Sequence, residues 1–146
     1  MPLLNARVQT EVKKSLAAMT GPVKLVNFTQ STNALECVMC AETRALVEEI
    51  APLAPDGKLS VEVHDFVTDT ADVDAYKVDK IPAIAVVGAK DYGIRFYGIP
   101  SGYEFSSLMD DILTVSKGES GLSSATKAAA AKIAKLVHMQ VYVTPT

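Results

Sequence analysis

The sequence predicts one α/β domain, a central mixed β-sheet flanked by helices. Three observations predict it. The chain has 146 residues, 49% hydrophobic and 21% charged, enough for one core and too few for two ordinary domains. Strand and helix periodicities alternate through its middle in the order β-α-β-α-β-β-α. The adjacent pair of strands is joined by a short turn containing Gly and Asp, as a hairpin requires.

Leu4, Val8, Val12 and Leu16 recur every four residues with charges between them, so residues 3–19 read as an amphipathic helix. Gly21-Pro22 stops it. Val23-Lys-Leu-Val-Asn-Phe is a strand ending near Thr29, and a polar stretch from Gln30 to Glu36 follows. Residues 38–51 are helical in pattern, closed by Pro52 and Pro55-Asp-Gly57. Ser60 to Phe66 alternates as a strand does, and residues 69–77 fit a short helix. Ala83–Val87 and Tyr92–Tyr97 form the hairpin. Phe105, Leu108, Met109, Ile112 and Leu113 mark another amphipathic helix. Ser123 can cap a final Ala-rich helix, residues 124–135. Val137-His-Met-Gln-Val-Tyr-Val143 reads as a last strand. Its sequence through Thr146 resembles Val23 to Thr32, with Tyr142 in the register of Phe28, as if a second copy of the unit began there. The domain reading is therefore a unit at 1–122, then a linker helix and the first strand of an incomplete second unit at 123–146.

Composition excludes several classes. A formal net charge of −3, with a lysine pair at Lys13-Lys14 and no basic stripe, gives no attraction to nucleic acid or anionic membranes. No run approaches the ~18 apolar residues a transmembrane helix needs. The first residues carry charges where a signal peptide has an apolar run, so a cytoplasmic location is expected. There, a catalytic or reversible disulfide is expected rather than a permanent one. Asn27-Phe28-Thr29 matches a glycosylation acceptor only formally, because it falls in a strand expected to be buried.

Chemistry concentrates at Cys37-Val38-Met39-Cys40. Two thiols two residues apart at a helix start can close a small disulfide ring. Cys37, ahead of the helix, has the macrodipole and free N–H groups to favour its thiolate, the attacking species in exchange. Cys40 would then resolve the mixed disulfide. C-x-x-C also forms half of a zinc or iron–sulfur site. Such sites need about four ligands, and no second pair exists here. His64 and His138 stand alone in expected strands, so no metal is expected within one chain, and the alternative for the pair is a metal shared across a dimer. Arg44 and Glu48, four apart on the cysteine helix, are expected to form a solvated ion pair. The second mark is Ile81-Pro82 at the start of a strand, since proline cannot sit inside a central ladder. The β-α-β, hairpin and helix order alone leaves other α/β folds open; with the cysteines on a strand–helix junction and this proline, it resembles the thioredoxin arrangement with a helix added before it. In that fold the proline is cis and lies against the disulfide, leaving neighbouring backbone for a substrate chain.

Val47-Glu-Glu-Ile-Ala, Val61-Glu-Val-His-Asp-Phe, Val78-Asp-Lys-Ile-Pro-Ala-Ile and above all Asp91-Tyr-Gly-Ile-Arg-Phe-Tyr-Gly-Ile-Pro-Ser-Gly-Tyr-Glu-Phe resemble the glutaredoxin-like protein disulfide oxidoreductases. That family holds two thioredoxin-fold units in tandem, each with a C-x-x-C, and its second unit opens on a strand ending in Val-Thr-Pro-Thr. The resemblance implies that this chain is the N-terminal unit plus the first strand of the second. It departs from the family in three ways. The cysteine pair lacks a Pro-Tyr or aromatic centre and a following proline. The connection from Phe28 to Cys37 is longer, with Asn33-Ala-Leu-Glu36 as the insertion, and Glu36 would oppose thiolate formation. Asn27 stands where the resemblance places a buried Asp that assists proton transfer.

The resulting expectation is a dithiol–disulfide oxidoreductase without an organic cofactor, acting in cell redox homeostasis. Cys37 and Cys40 would be catalytic, and Ile81 with Pro82 would shape the substrate groove. Its partners would be disulfide-containing proteins and a thioredoxin-reductase-like electron donor. Two alternatives stand beside it. One is a non-catalytic pairing or interaction module, including a homodimer through the C-terminal strand. The other is an electron-relay domain for a peroxiredoxin system.

Overall fold

Val23–Thr29 is an almost unbroken apolar run, and every position except Lys24 is buried. Such a strand needs cover on both faces and a neighbour at both edges. The computed structural model, which describes residues 2–32 and 35–144, supplies both. The elements are α1 (Ala6–Leu16), β1 (Val23–Thr29), α2 (Cys40–Ile50), β2 (Leu59–Asp65), α3 (Thr70–Tyr76), β3 (Ala83–Val87), β4 (Asp91–Tyr97), α4 (Tyr103–Lys117) and α5 (Ser124–Ala130). The sheet order is β2-β1-β3-β4. Strand β1 runs parallel to β2, with Val23 opposite Leu59 and Thr29 opposite Asp65. It runs antiparallel to β3, with Lys24 opposite Val87 and Phe28 opposite Ala83. β4 closes the hairpin with β3, its register shifting between Ala85 and Val87.

Alternation along the strands builds two cores. Val23, Leu25, Ile84 and Val86 face Leu16 of α1, Val47 and Ile50 of α2, and Leu108 and Ile112 of α4. On the other face Val26, Phe28, Ala83 and Ala85 meet Val73 of α3 and Val78. Phe28 stacks on His64 at 5.4 Å and meets Tyr76 edge-on at 5.5 Å. The sheet is thus a middle layer, and its β1–β2 end carries the cysteine loop.

Two seams fix the added N-terminal helix. Asn5 caps α1 by accepting from the Val8 amide at 3.0 Å, which is why the helix begins at Ala6 rather than Leu3. The Leu3 and Leu4 amides donate to the Glu49 carboxylate at 2.7 and 3.0 Å. These bonds, Leu4 first, hold that carboxyl below its ordinary range. The second seam joins the end of α4 to the α1–β1 link. Ser116 Oγ accepts from the Thr20 and Gly21 amides at 2.9 and 3.0 Å and donates to the Gly21 carbonyl at 2.8 Å. A Cβ on Gly21 would lie 2.9 Å from the Ser116 carbonyl oxygen, so this approach requires glycine. α4 itself ends on Gly118 in the left-handed region, φ 68°.

Besides the shorter α1, which spans Ala6–Leu16 and not 3–19, the expected elements form with three corrections. α2 starts at Cys40, not Val38, because Cys37–Met39 are spent in the disulfide turn. α5, capped by Ser123 as expected, stops at Ala130 rather than 135. Val137–Val143 is not a strand, and its residues are exposed. Strand alternation alone does not make a strand, because the ladder needs a partner and this segment pairs with none. Asn33 and Ala34 of the insertion, and Pro145-Thr146, lie outside the described residues. Among those described, no helix is long and apolar enough to cross a membrane.

Candidate redox site

Cys37 and Cys40 are joined in a disulfide, their Cα atoms 5.5 Å apart. The two sulfurs have different surroundings. Cys37 lies in the turn ahead of α2 and is half-buried, whereas Cys40 opens the helix and is 4% exposed. The chain between them turns outward, with Val38 at 84% and Met39 at 38% exposure. Cys37 is thus the more accessible residue of the pair. Cys37 also lies off the positive end of the α2 dipole, which favours its thiolate once the bond opens.

A cleft of about 330 Å³ adjoins the pair, lined by Thr29, Gln30, Ser31, Cys37, Cys40, Ala41 and Arg44. Arg44 is held by Glu48 at 2.8 Å in the expected exposed ion pair. Glu36 is exposed. The Ile81–Pro82 peptide is cis. The β1–β3 register, with Phe28 opposite Ala83, brings Pro82 to the level of Thr29, the sheet end where the cysteines lie. Ile81 is half-buried, the Pro82 carbonyl accepts from Gly98 at 2.9 Å, and neither residue is among those lining the cleft. The histidines lie elsewhere. His64 is in contact with Glu62 at 2.7 Å and faces Asp72 and Asp69 at 3.4 and 3.6 Å, and His138 is in the exposed C-terminal segment.

Two polar contacts of the site and one buried hydroxyl were not legible in the sequence. Ser31 gives its amide and hydroxyl to Asp65 Oδ2 at 2.6 and 2.5 Å. Asp65 Oδ1 also accepts from the Val67 and Thr68 amides at 2.8 and 3.1 Å. The Ser31 hydroxyl, then its amide, then those turn amides hold the Asp65 carboxyl far below the usual carboxylate range. An aspartate at a strand end beside a turn is a readable signal for the local half of this network; the link to Ser31, 34 residues away, is not. Gln30 brackets Leu35, its Nε2 donating to the Leu35 carbonyl and its Oε1 accepting from the Leu35 amide, both at 2.9 Å. Thr43 lies three residues beyond Cys40 and is fully buried. Its Oγ1, like Asn27 Oδ1, has no hydrogen-bond partner among the described residues. Asn27 is buried too, its Nδ2 donating to the Ala83 carbonyl at 3.2 Å, which rules out the glycosylation match.

No protein-family model matches the chain, and no curated protein matches it in sequence. Among solved structures it is similar to a protein disulfide oxidoreductase from Aeropyrum pernix, with 28% identity and a TM-score of 0.76, over 88% of this chain and 54% of that one. It is also similar to the NTD_N/C domain of alkylhydroperoxide reductase AhpF from Enterococcus faecalis, with 24% identity and a TM-score of 0.73, over 86% of this chain and 58% of that one. The chain therefore spans between half and two thirds of the length of either. Its sheet and flanking helices form the thioredoxin-like fold, and it carries the disulfide-bonded pair of a thiol–disulfide oxidoreductase fold.

Proposed function

We propose that this thioredoxin-fold chain catalyses thiol–disulfide exchange, with Cys37 as the attacking and Cys40 as the resolving residue. The observation that carries the reading is the asymmetry of the pair, an accessible Cys37 joined to a buried Cys40. In the reducing direction, the Cys37 thiolate attacks a substrate disulfide. One substrate sulfur leaves as thiolate, and a mixed disulfide forms on Cys37. The Cys40 thiolate then attacks Cys37 Sγ, which expels the second substrate sulfur and closes the internal disulfide. Two electrons pass to the substrate, and the two displaced thiolates take protons from solvent. A thioredoxin-reductase-like donor would restore the dithiol. Run backwards, the same steps oxidise a dithiol protein.

Disulfide-containing proteins are the substrate class that fits, because Val38 and Met39 give the pair an apolar flank. Ile81 and Pro82, at the same sheet end, would offer the neighbouring wall of a substrate groove. A cytoplasmic role in redox homeostasis is the setting in which a reversible pair of this kind operates.

Titration against glutathione should show one two-electron couple. Insulin reduction should proceed with the wild type and stop with Cys37→Ser. Cys40→Ser should retain the first step and accumulate a mixed disulfide visible by mass spectrometry. A pair that never cycles, with wild type and Cys37→Ser equally inactive, would overturn the proposal.

A second reading rests on the C-terminal segment, where Leu136, Met139, Val141, Tyr142 and Val143 are all more than 80% exposed. Such a stretch suits pairing with another unit or a second copy of the chain. Sedimentation at rising concentration checks this, and a monomer throughout would remove it. Electron relay to a peroxiredoxin is the remaining variant of the exchange reading, checked by mixing the reduced protein with one and following peroxide.

A further inference from the structure

The described residues of the connection between β1 and Cys37, half-buried Gln30 and exposed Ser31, Thr32, Leu35 and Glu36, are tied down at defined points. Ser31 is fastened to Asp65 through both its amide and its hydroxyl, so the loop leaves β1 along the end of β2. Next to Ser31, the Gln30 carboxamide holds Leu35 in both directions at 2.9 Å. The Leu35 carbonyl that Gln30 donates to is also the acceptor of the Cys37 amide, at 3.0 Å. A line of hydrogen bonds thus runs from the sheet, through one side chain, to the backbone of the accessible cysteine.

We propose that Gln30 is a positioning residue for Cys37, its carboxamide acting as a substitute peptide that keeps the loop closed when the disulfide is open. The proposal rests on the exchange reading above. Its physical basis is the behaviour of a long loop in the dithiol state. With the disulfide formed, Cys37 is held by Cys40 whatever the loop does. With it broken, Cys37 keeps its two-residue link to Cys40 and the Cys40 amide on its carbonyl at 3.4 Å, and on its other side, among the described residues, only the Leu35 carbonyl at 3.0 Å, so freedom in the preceding connection becomes freedom in where Cys37 stands. A clamp that is more stable with the disulfide closed must, by linkage, favour disulfide closure by the same factor. Gln suits this task because its head carries both an acceptor and donors, which is what a peptide offers to its partner strand. Glutamate would supply the acceptor alone. Both Gln30 and Cys37 line the same cleft, so the clamp also fixes one wall against which a substrate would rest.

The test measures the glutathione redox equilibrium of the full chain as wild type, Gln30→Ala and Gln30→Met, with circular dichroism to confirm folding. Gln30→Ala should form its disulfide about tenfold less readily, a potential about 30 mV less negative for this two-electron couple. Gln30→Met, which keeps length and loses the hydrogen bonds, should behave like alanine. Amide exchange at Leu35 and Cys37 should quicken in both reduced variants. An unchanged potential in Gln30→Ala overturns the proposal, as does a Gln30→Met variant that matches wild type, since packing would then be positioning the loop. A wild type without any two-electron couple defeats the exchange reading itself, an outcome recognisable before either variant is compared.

Discussion

The residues of the site divide between chemistry that is local in the chain and support that is not. The Cys37–Cys40 disulfide could be read from spacing, and the start of β3 from Pro82, because each signal lies within a few residues. Asp65 is different. Its turn toward Val67 and Thr68 is local, but its hold on Ser31 exists only because β1 and β2 are parallel neighbours that bring their ends together. This carboxylate also carries a pH signature. Its folded pKa lies well below the unfolded value of about 3.9, so its stabilisation is fully present above that value and is lost as pH falls toward the folded pKa. Asp65→Asn should therefore lower the urea midpoint at pH 7, and the gap from wild type should narrow between pH 4 and pH 2. A gap that stays constant over this range would assign the effect to shape rather than charge. Asn27 shows the limit of residue reading in another way. Its burial follows from its place in an apolar strand, whereas its unpartnered Oδ1 depends on what packs above it.

Among the elements, those with partners came out as the periodicity implied. β1, β3 and the helices over them carry strong patterns, and burial against a facing element reinforces each. The failures occur where no such element exists. Val137–Val143 alternates as well as any strand in the chain and is not one. α5 has a good cap and helix-forming alanines, yet it ends early because it buries nothing. The α1–β1 link shows the opposite case, where tertiary contact imposes order on a connection. Ser116 gathers three hydrogen bonds from Thr20 and Gly21, and the Thr20 hydroxyl returns one to the Ser116 carbonyl at 3.0 Å. Ser116→Ala strands two amides and a carbonyl in a partly buried seam, so it should cost about 1–3 kcal/mol in urea unfolding. Gly21→Ala should destabilise through the close approach already described, and the two losses should not add, because both break the same seam.

For the whole molecule, the boundary between structured unit and tail is sharp. Every described residue after Gly118 is exposed, and Lys127 pairs with nearby Glu119. A chain ending at Leu122 should keep the urea midpoint and the slope of the full chain, since almost no surface is buried by what is removed. A drop in either would show that the tail packs on the unit. The sequence conveyed the unit's outline well because the sheet order follows from a β-α-β crossover and a hairpin. It misread the tail, whose alternation at Val137–Val143 has no facing element among the described residues to bury it. The central position of β1 also has a consequence for synthesis. The strand emerges early and its first partner, β2, follows across one helix, but the other edge must wait for β3, which arrives only after α3. A nascent chain that has reached β2 therefore exposes one flank of its most apolar strand. Hydrophobic surface and an open strand edge are then displayed together, and this interval is when the growing polypeptide is most exposed to aggregation.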